Sequence, residues 1–73
     1  MRYVVIFEIG PTSVGAYVPD LPGCVAVGAN LEEAKALIHE VIPFHLEGMR
    51  RHGEQVPTPN SLCEYVEVPA LVA

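Results

Sequence analysis

The stretch Tyr17-Val18-Pro19-Asp20-Leu21-Pro22-Gly23-Cys24-Val25-Ala26-Val27-Gly28-Ala29-Asn30-Leu31-Glu32-Glu33-Ala34 holds a strand end, a locked loop, a short strand and a helix start in succession. Two prolines and a glycine within Pro19–Gly23 restrict the backbone to a rigid loop. Cys24–Gly28 is short and apolar and reads as a strand. Asn30 is a good helix N-cap, because its side-chain oxygen accepts from a backbone N–H of the first turn. Glu32 and Glu33 then put negative charge at the positive end of the helix dipole.

Upstream, Met1–Ile9 reads as a strand with Tyr3, Val5, Phe7 and Ile9 on one face and Arg2, Val4, Ile6 and Glu8 on the other. Both faces are apolar in the middle, which places this strand centrally or beneath a second cover. Gly10-Pro11-Thr12 supplies a turn, and Ser13–Val18 alternates Val14, Ala16 and Val18 against Gly15 and Tyr17. Three closely spaced strands predict an antiparallel meander.

Downstream, at about 100° per residue, Leu31, Ala34, Ile38, Val41, Ile42, His45, Leu46 and Met49 share one side of a helix, widened by Leu37 and Phe44. Glu32, Glu33, His39, Glu40, Glu47, Arg50 and Arg51 gather opposite, so the helix is amphipathic. Pro43 removes the N–H that would bond the His39 carbonyl, and a kink rather than a break is expected on the solvent side. Arg50, Arg51 and His52 suit the negative helix end, and Gly53 suits its stop. Glu54–Ser61, with Pro57 and Pro59, reads as extended. Leu62–Val68 alternates as a fourth strand, ended by Pro69, and the last four residues are expected to be loose.

The element order is β-β-β-α-β. A right-handed crossover lays the fourth strand parallel to the first. The expectation is therefore an α+β fold, a single domain over residues 1–73, with a four-stranded mixed sheet in the order 3-2-1-4 and one long helix on one face. Nothing in the chain covers the other face, where Val4 and Ile6 lie. An exposed apolar patch on a small domain marks an interface.

The 73 residues are 51% hydrophobic with mean hydropathy +0.34, which excludes a disordered chain. Four Lys/Arg against nine Asp/Glu leave a net charge of −5, a poor match to nucleic-acid phosphates. The apolar run from Tyr3 to Phe7 stops at Glu8, too short for a signal peptide or a membrane span. A cytoplasmic location is expected. A chain this short needs a staple, a metal or a partner subunit. Cys24 and Cys63 are too few for a disulfide framework and read as small buried hydrophobes, although one bridge between them stays open. Association is the expected remedy, as a homo-oligomer.

Catalytic machinery is not visible. His39, His45 and His52 are six and seven residues apart, not the four that brings two rings to one ion on a helix. Glu8, Asp20 and Glu64 near strand ends would be the only basis for a metal-dependent nuclease, and they lie on different elements. Ser13 and Ser61 lack a G-x-S-x-G context, and Gly23 and Gly28 flank a strand instead of opening a helix as a phosphate loop does. No catalytic residue, cofactor or metal is expected.

The run Tyr17–Gly28 with Leu31-Glu32-Glu33-Ala34, His45-Leu46 and the tail Gly53…Val56-Pro57-x-Pro59 resembles the HicB antitoxin family over nearly the whole chain. The resemblance implies a partial RNase H-like fold without nuclease residues. It also implies a partner: a HicA-type toxin, a small RNA-cleaving protein that the antitoxin masks. Full-length family members add a C-terminal DNA-binding domain, and these 73 residues hold none, so the likeness is to a short form with no direct nucleic-acid contact expected. Asn30 stands where relatives often have Thr, and Pro43 where a helix former is usual. The expected protein interface comprises Val4 and Ile6 with the Asp20, Leu21 and Pro22 loop. An orphan homo-oligomer is the alternative, and a degenerate nuclease using Glu8, Asp20 and Glu64 the remote one.

Overall fold

The structure, a computed structural model, describes residues 1–70. Three short strands, β1 (Ile6–Ile9), β2 (Val14–Tyr17) and β3 (Val25–Gly28), precede one helix, α1 (Leu31–Arg51). The strands form an antiparallel sheet in the order β1-β2-β3, so β2 is central. Phe7 pairs with Ala16 and Ala16 with Ala26, all on the face toward α1. The meander follows from its turns: Gly10 donates its N–H to the Ser13 carbonyl at 2.8 Å and closes the first hairpin.

The core lies between sheet and helix. Ala16, Val18, Leu21, Cys24 and Ile38 are buried there, with Tyr3, Val5, Phe7, Val41, Ile42, Leu46 and Met49 packed around them. Gly28 sits where β3 runs directly beneath the helix start; a Cβ there would lie 2.6 Å from the Ala34 nitrogen. That contact lets Ala34 become fully buried. Close backbone approach is the reason only glycine fits.

The helix begins and ends as its sequence dictates. Asn30 Oδ1 accepts from the Glu33 N–H at 2.8 Å, and Glu33 Oε1 accepts from the Ala29 N–H at 2.7 Å. At the other end Gly53, at φ +71°, lets its own N–H reach the Arg50 carbonyl and the Glu54 N–H reach that of Met49. This is a Schellman stop. The helix runs unbroken through Pro43, which is exposed, so water reaches the carbonyl that the proline leaves without a donor.

The sheet has three strands, and this corrects the expected four-stranded 3-2-1-4 order. The β-β-β-α part stands; the fourth strand does not form. Leu62–Val68 is irregular and exposed, with Leu62 at 97% and Tyr65 at 101%. Its alternation carries a carboxylate on each face, Glu64 on one and Glu67 on the other, so neither face gains by turning inward. Without that neighbour β1 is an edge, and its ladder shrinks from the expected Met1–Ile9 to Ile6–Ile9. Cys63 is carried into solvent with the tail, correcting its reading as buried; it and the buried Cys24 are both free. Phe44, expected on the buried stripe, is also exposed. The expected looseness of the last four residues falls, beyond Ala70, outside the described residues.

Candidate protein-binding surface

The Pro19–Gly23 loop consists of two consecutive turns. The Leu21 N–H reaches the Val18 carbonyl at 3.0 Å with Pro19 and Asp20 between, and the Cys24 N–H reaches the Leu21 carbonyl at 3.0 Å with Pro22 and Gly23 between. Gly23 has φ +83°, as the third position of a type II turn demands, and Pro22 presets the second. Leu21 is the pivot between the turns and is driven into the core at 1% exposure. Of the loop residues expected at an interface, Leu21 is therefore core, whereas Pro22 is exposed.

Asp20 fastens the chain's later segment to this loop. Its Oδ2 accepts from the Asn60 and Ser61 N–H groups, each at 3.0 Å, and its Oδ1 accepts from the Ser61 hydroxyl at 2.8 Å. The Ser61 hydroxyl, then the Ser61 amide, hold the carboxyl below its ordinary 3.8 against the opposing effect of burial, with the Asn60 amide adding the smallest contribution. A second tie lies nearby, where the Tyr3 hydroxyl donates to the Pro57 carbonyl at 2.6 Å.

The sheet face away from α1 is a continuous surface. The register aligns Ile6, Tyr17 and Val25 in one row across all three strands, and Glu8, Gly15 and Val27 in the next. Val25 is 58% exposed and Val27 66%. Val4, Ile6 and Tyr17 are half-buried. Among the described residues no helix or strand lies over this face. Tyr17 and the two valines belong to the same surface and were not singled out in the sequence, although the alternation opposite Val14, Ala16 and Val18 assigns Tyr17 to that face.

A second apolar opening, a cleft of about 720 Å³, lies where Pro22 and Gly23 face the second half of α1, with Phe44, His45, Met49 and Pro57 among its walls. The remaining polar groups do not converge. Among the described residues no three His, Cys, Asp or Glu side chains are placed to hold one metal ion. Asp20 is engaged by the tail, Glu8 lies on the open sheet face, and Glu64 is on the exposed segment. Burial raises the Cys24 thiol above its ordinary value, which keeps it in the unreactive protonated form. The arrangement offers surfaces for protein contact.

Comparison with known proteins gives the family. Residues 3–72 match the family described as HicB_like antitoxin of bacterial toxin-antitoxin system. The chain belongs to the HicB-like antitoxin family. It is 34% identical to Antitoxin HicB 2 of Photorhabdus laumondii over 74 residues, covering 100% of this chain and 53% of that protein. It is 42% identical over 69 residues to an uncharacterized 14.9 kDa protein of Haemophilus phage HP1, covering 94% of this chain and 52% of that one. A third relative, UPF0150 protein Ta0767 of Thermoplasma acidophilum, is 38% identical over 64 residues, 84% of this chain and 90% of the other. The chain thus spans about half the length of the phage and Photorhabdus relatives. No solved structure matches significantly. Among the described residues no helix of this HicB-like chain is long and apolar enough to cross a membrane.

Proposed function

We propose that this HicB-like chain is a non-catalytic binding module that neutralises a small, basic, RNA-cleaving toxin of the HicA type by covering its active surface. The observation that carries this reading is the apolar row Ile6–Tyr17–Val25 with Val27 beside it, half-buried at Ile6 and Tyr17 and exposed at Val25 and Val27, on a member of an antitoxin family. A net charge of −5 suits the task. It steers the domain toward a cationic RNA-binding surface and competes there with phosphate. Pro22, exposed at the rim of the locked loop, adds a contact that costs little ordering entropy. The cytoplasm, where such a toxin meets its RNA, is the proposed site of action.

The test is co-purification with a small basic HicA-type protein, taken from beside this gene if one is encoded there, together with rescue of growth arrested by that protein. Binding and rescue are expected from the unaltered chain. Both should be lost in Tyr17→Glu, which puts a charge in the middle of the apolar row and leaves the core between sheet and helix untouched. Absence of binding by the unaltered chain would remove the antitoxin role.

A further inference from the structure

The helix carries a second seam on the flank of the stripe that buries Ala34 and Ile38. Leu37, Val41, Phe44, Gly48 and Arg51 alternate at spacings of four and three residues, the pattern by which one helix lies along another. Val41 is rooted in the core, whereas Phe44 stands out into solvent at 81% exposure. Beside that ring the surface is hollow. A Cβ on Gly48 would meet nothing within 4 Å. Val41, Phe44 and Gly48 form the helix side of the cleft of about 720 Å³ whose other wall includes Pro22 and Pro57. A protruding side chain and an empty position one turn away make the seam complementary to itself.

Charge decides what kind of partner fits. The first turn of α1 holds Glu32 and Glu33, and its last turn holds Arg50 and Arg51. Glu33, one turn before Leu37, and Arg51 therefore stand at opposite ends of the seam, about 27 Å apart along the axis. Arg51 pairs with Glu47 at 3.5 Å yet keeps 77% of its side chain exposed, so it can meet a further carboxylate. A uniformly basic partner meets like charge at the Arg51 end, and a uniformly acidic one meets it at the Glu33 end. A second α1 running in the opposite direction meets opposite charge at both ends, and its dipole opposes that of the first.

We propose that this seam docks on the same seam of a second copy of the chain, the two helices antiparallel about a two-fold axis level with the Ile42–Pro43 bond. That register sets Leu37 of each copy over the hollow at Gly48 of the other, Phe44 against Val41, and Glu33 beside Arg51 and His52. The contact is isologous, so it closes as a pair. Pro43 lies about 120° round the helix from the seam, and its ring stays clear of the contact. The seam is about two heptads long, so pairing is reversible and follows concentration. The toxin reading uses the sheet face on the other side of the molecule, and only Pro22 borders both surfaces.

The chain has no tryptophan, so Phe44→Trp puts a single reporter in the seam at an exposed position. Its emission should move to the blue as concentration rises, in step with the mass measured by light scattering. Gly48→Leu fills the hollow and replaces a poor helix former with a good one. It should raise the melting temperature of the dilute chain while raising the Kd for pairing by about tenfold or more, opposite signs that a folding defect does not produce. Arg51→Glu should weaken pairing most at low salt, and Tyr17→Glu on the sheet face should leave it unchanged. Emission that stays at the solvent-exposed wavelength at every concentration would overturn the proposal, whether or not the mass rises. So would pairing indifferent to Gly48→Leu, or a blue shift that appears only when a different protein is added.

Discussion

At the scale of single residues, two positions carry consequences beyond their size. Gly28 is one: the hydrogen that stands for its side chain faces the backbone of Glu33 and Ala34, and neither is a flexible side-chain end that could yield. Gly28→Ala must push β3 from the helix start, at a cost of about 3 kcal/mol, read as a lowered urea midpoint with an unchanged slope. Asp20 is the other, and its effect depends on pH. Its folded carboxyl titrates below the ordinary 3.8 because the ionised form accepts hydrogen bonds from Ser61 and Asn60. The clasp is therefore fully present above 3.8 and is lost as pH falls below that value through the lower folded one. Proteolysis of the tail should accelerate in that acid range. Asp20→Asn should show rapid cleavage at neutral pH and lose the acid-dependent increase.

Among the elements, the helix was the most legible because its signals are local. Asn30, Glu32–Glu33 and Gly53 fix its ends within a few residues of sequence, and the structure places cap and stop at these positions. Removing the cap acceptor with Asn30→Ala leaves the Glu33 N–H without its partner and should cost about 1 kcal/mol, measurable as a lower melting temperature. The meander and the two-turn loop were legible for the same reason. The fourth strand was not, since a strand exists only with a neighbour, and alternation in Leu62–Val68 says nothing about whether any edge receives it. Its two carboxylates, one per face, were the sequence signal against folding inward. The open sheet face follows from the alternation of Tyr3–Ile9, which puts Val4 and Ile6 opposite the core-packed Tyr3, Val5 and Phe7. By contrast, the burial of Leu21 has no periodic signature, as it lies between two turns. The Asp20–Ser61 clasp joins residues 41 apart, beyond the reach of any local pattern.

For the whole molecule the controlling quantity is how little the chain buries. Among the described residues seven hydrophobic side chains are buried, and Leu21, Ile38, Val18 and Cys24 are the largest that are fully enclosed. A domain of this length has a net stability of order 5 kcal/mol, and truncating a buried leucine costs about 2–5 kcal/mol. Leu21 is among the worst places to lose that volume. Its neighbours are held by two prolines and by turn hydrogen bonds at both sides, so the loop cannot collapse into the cavity. Leu21→Ala should therefore remove most of the folding free energy. The expected result is a chain whose thermal melt, followed by circular dichroism, has lost its cooperative transition. The conservative Leu21→Met, which nearly keeps the volume, should retain it with a lowered midpoint. If Leu21→Ala still melted cooperatively near the unaltered midpoint, the two turns would have to yield far more than their hydrogen bonds allow, and the rigidity assigned to this loop would be refuted.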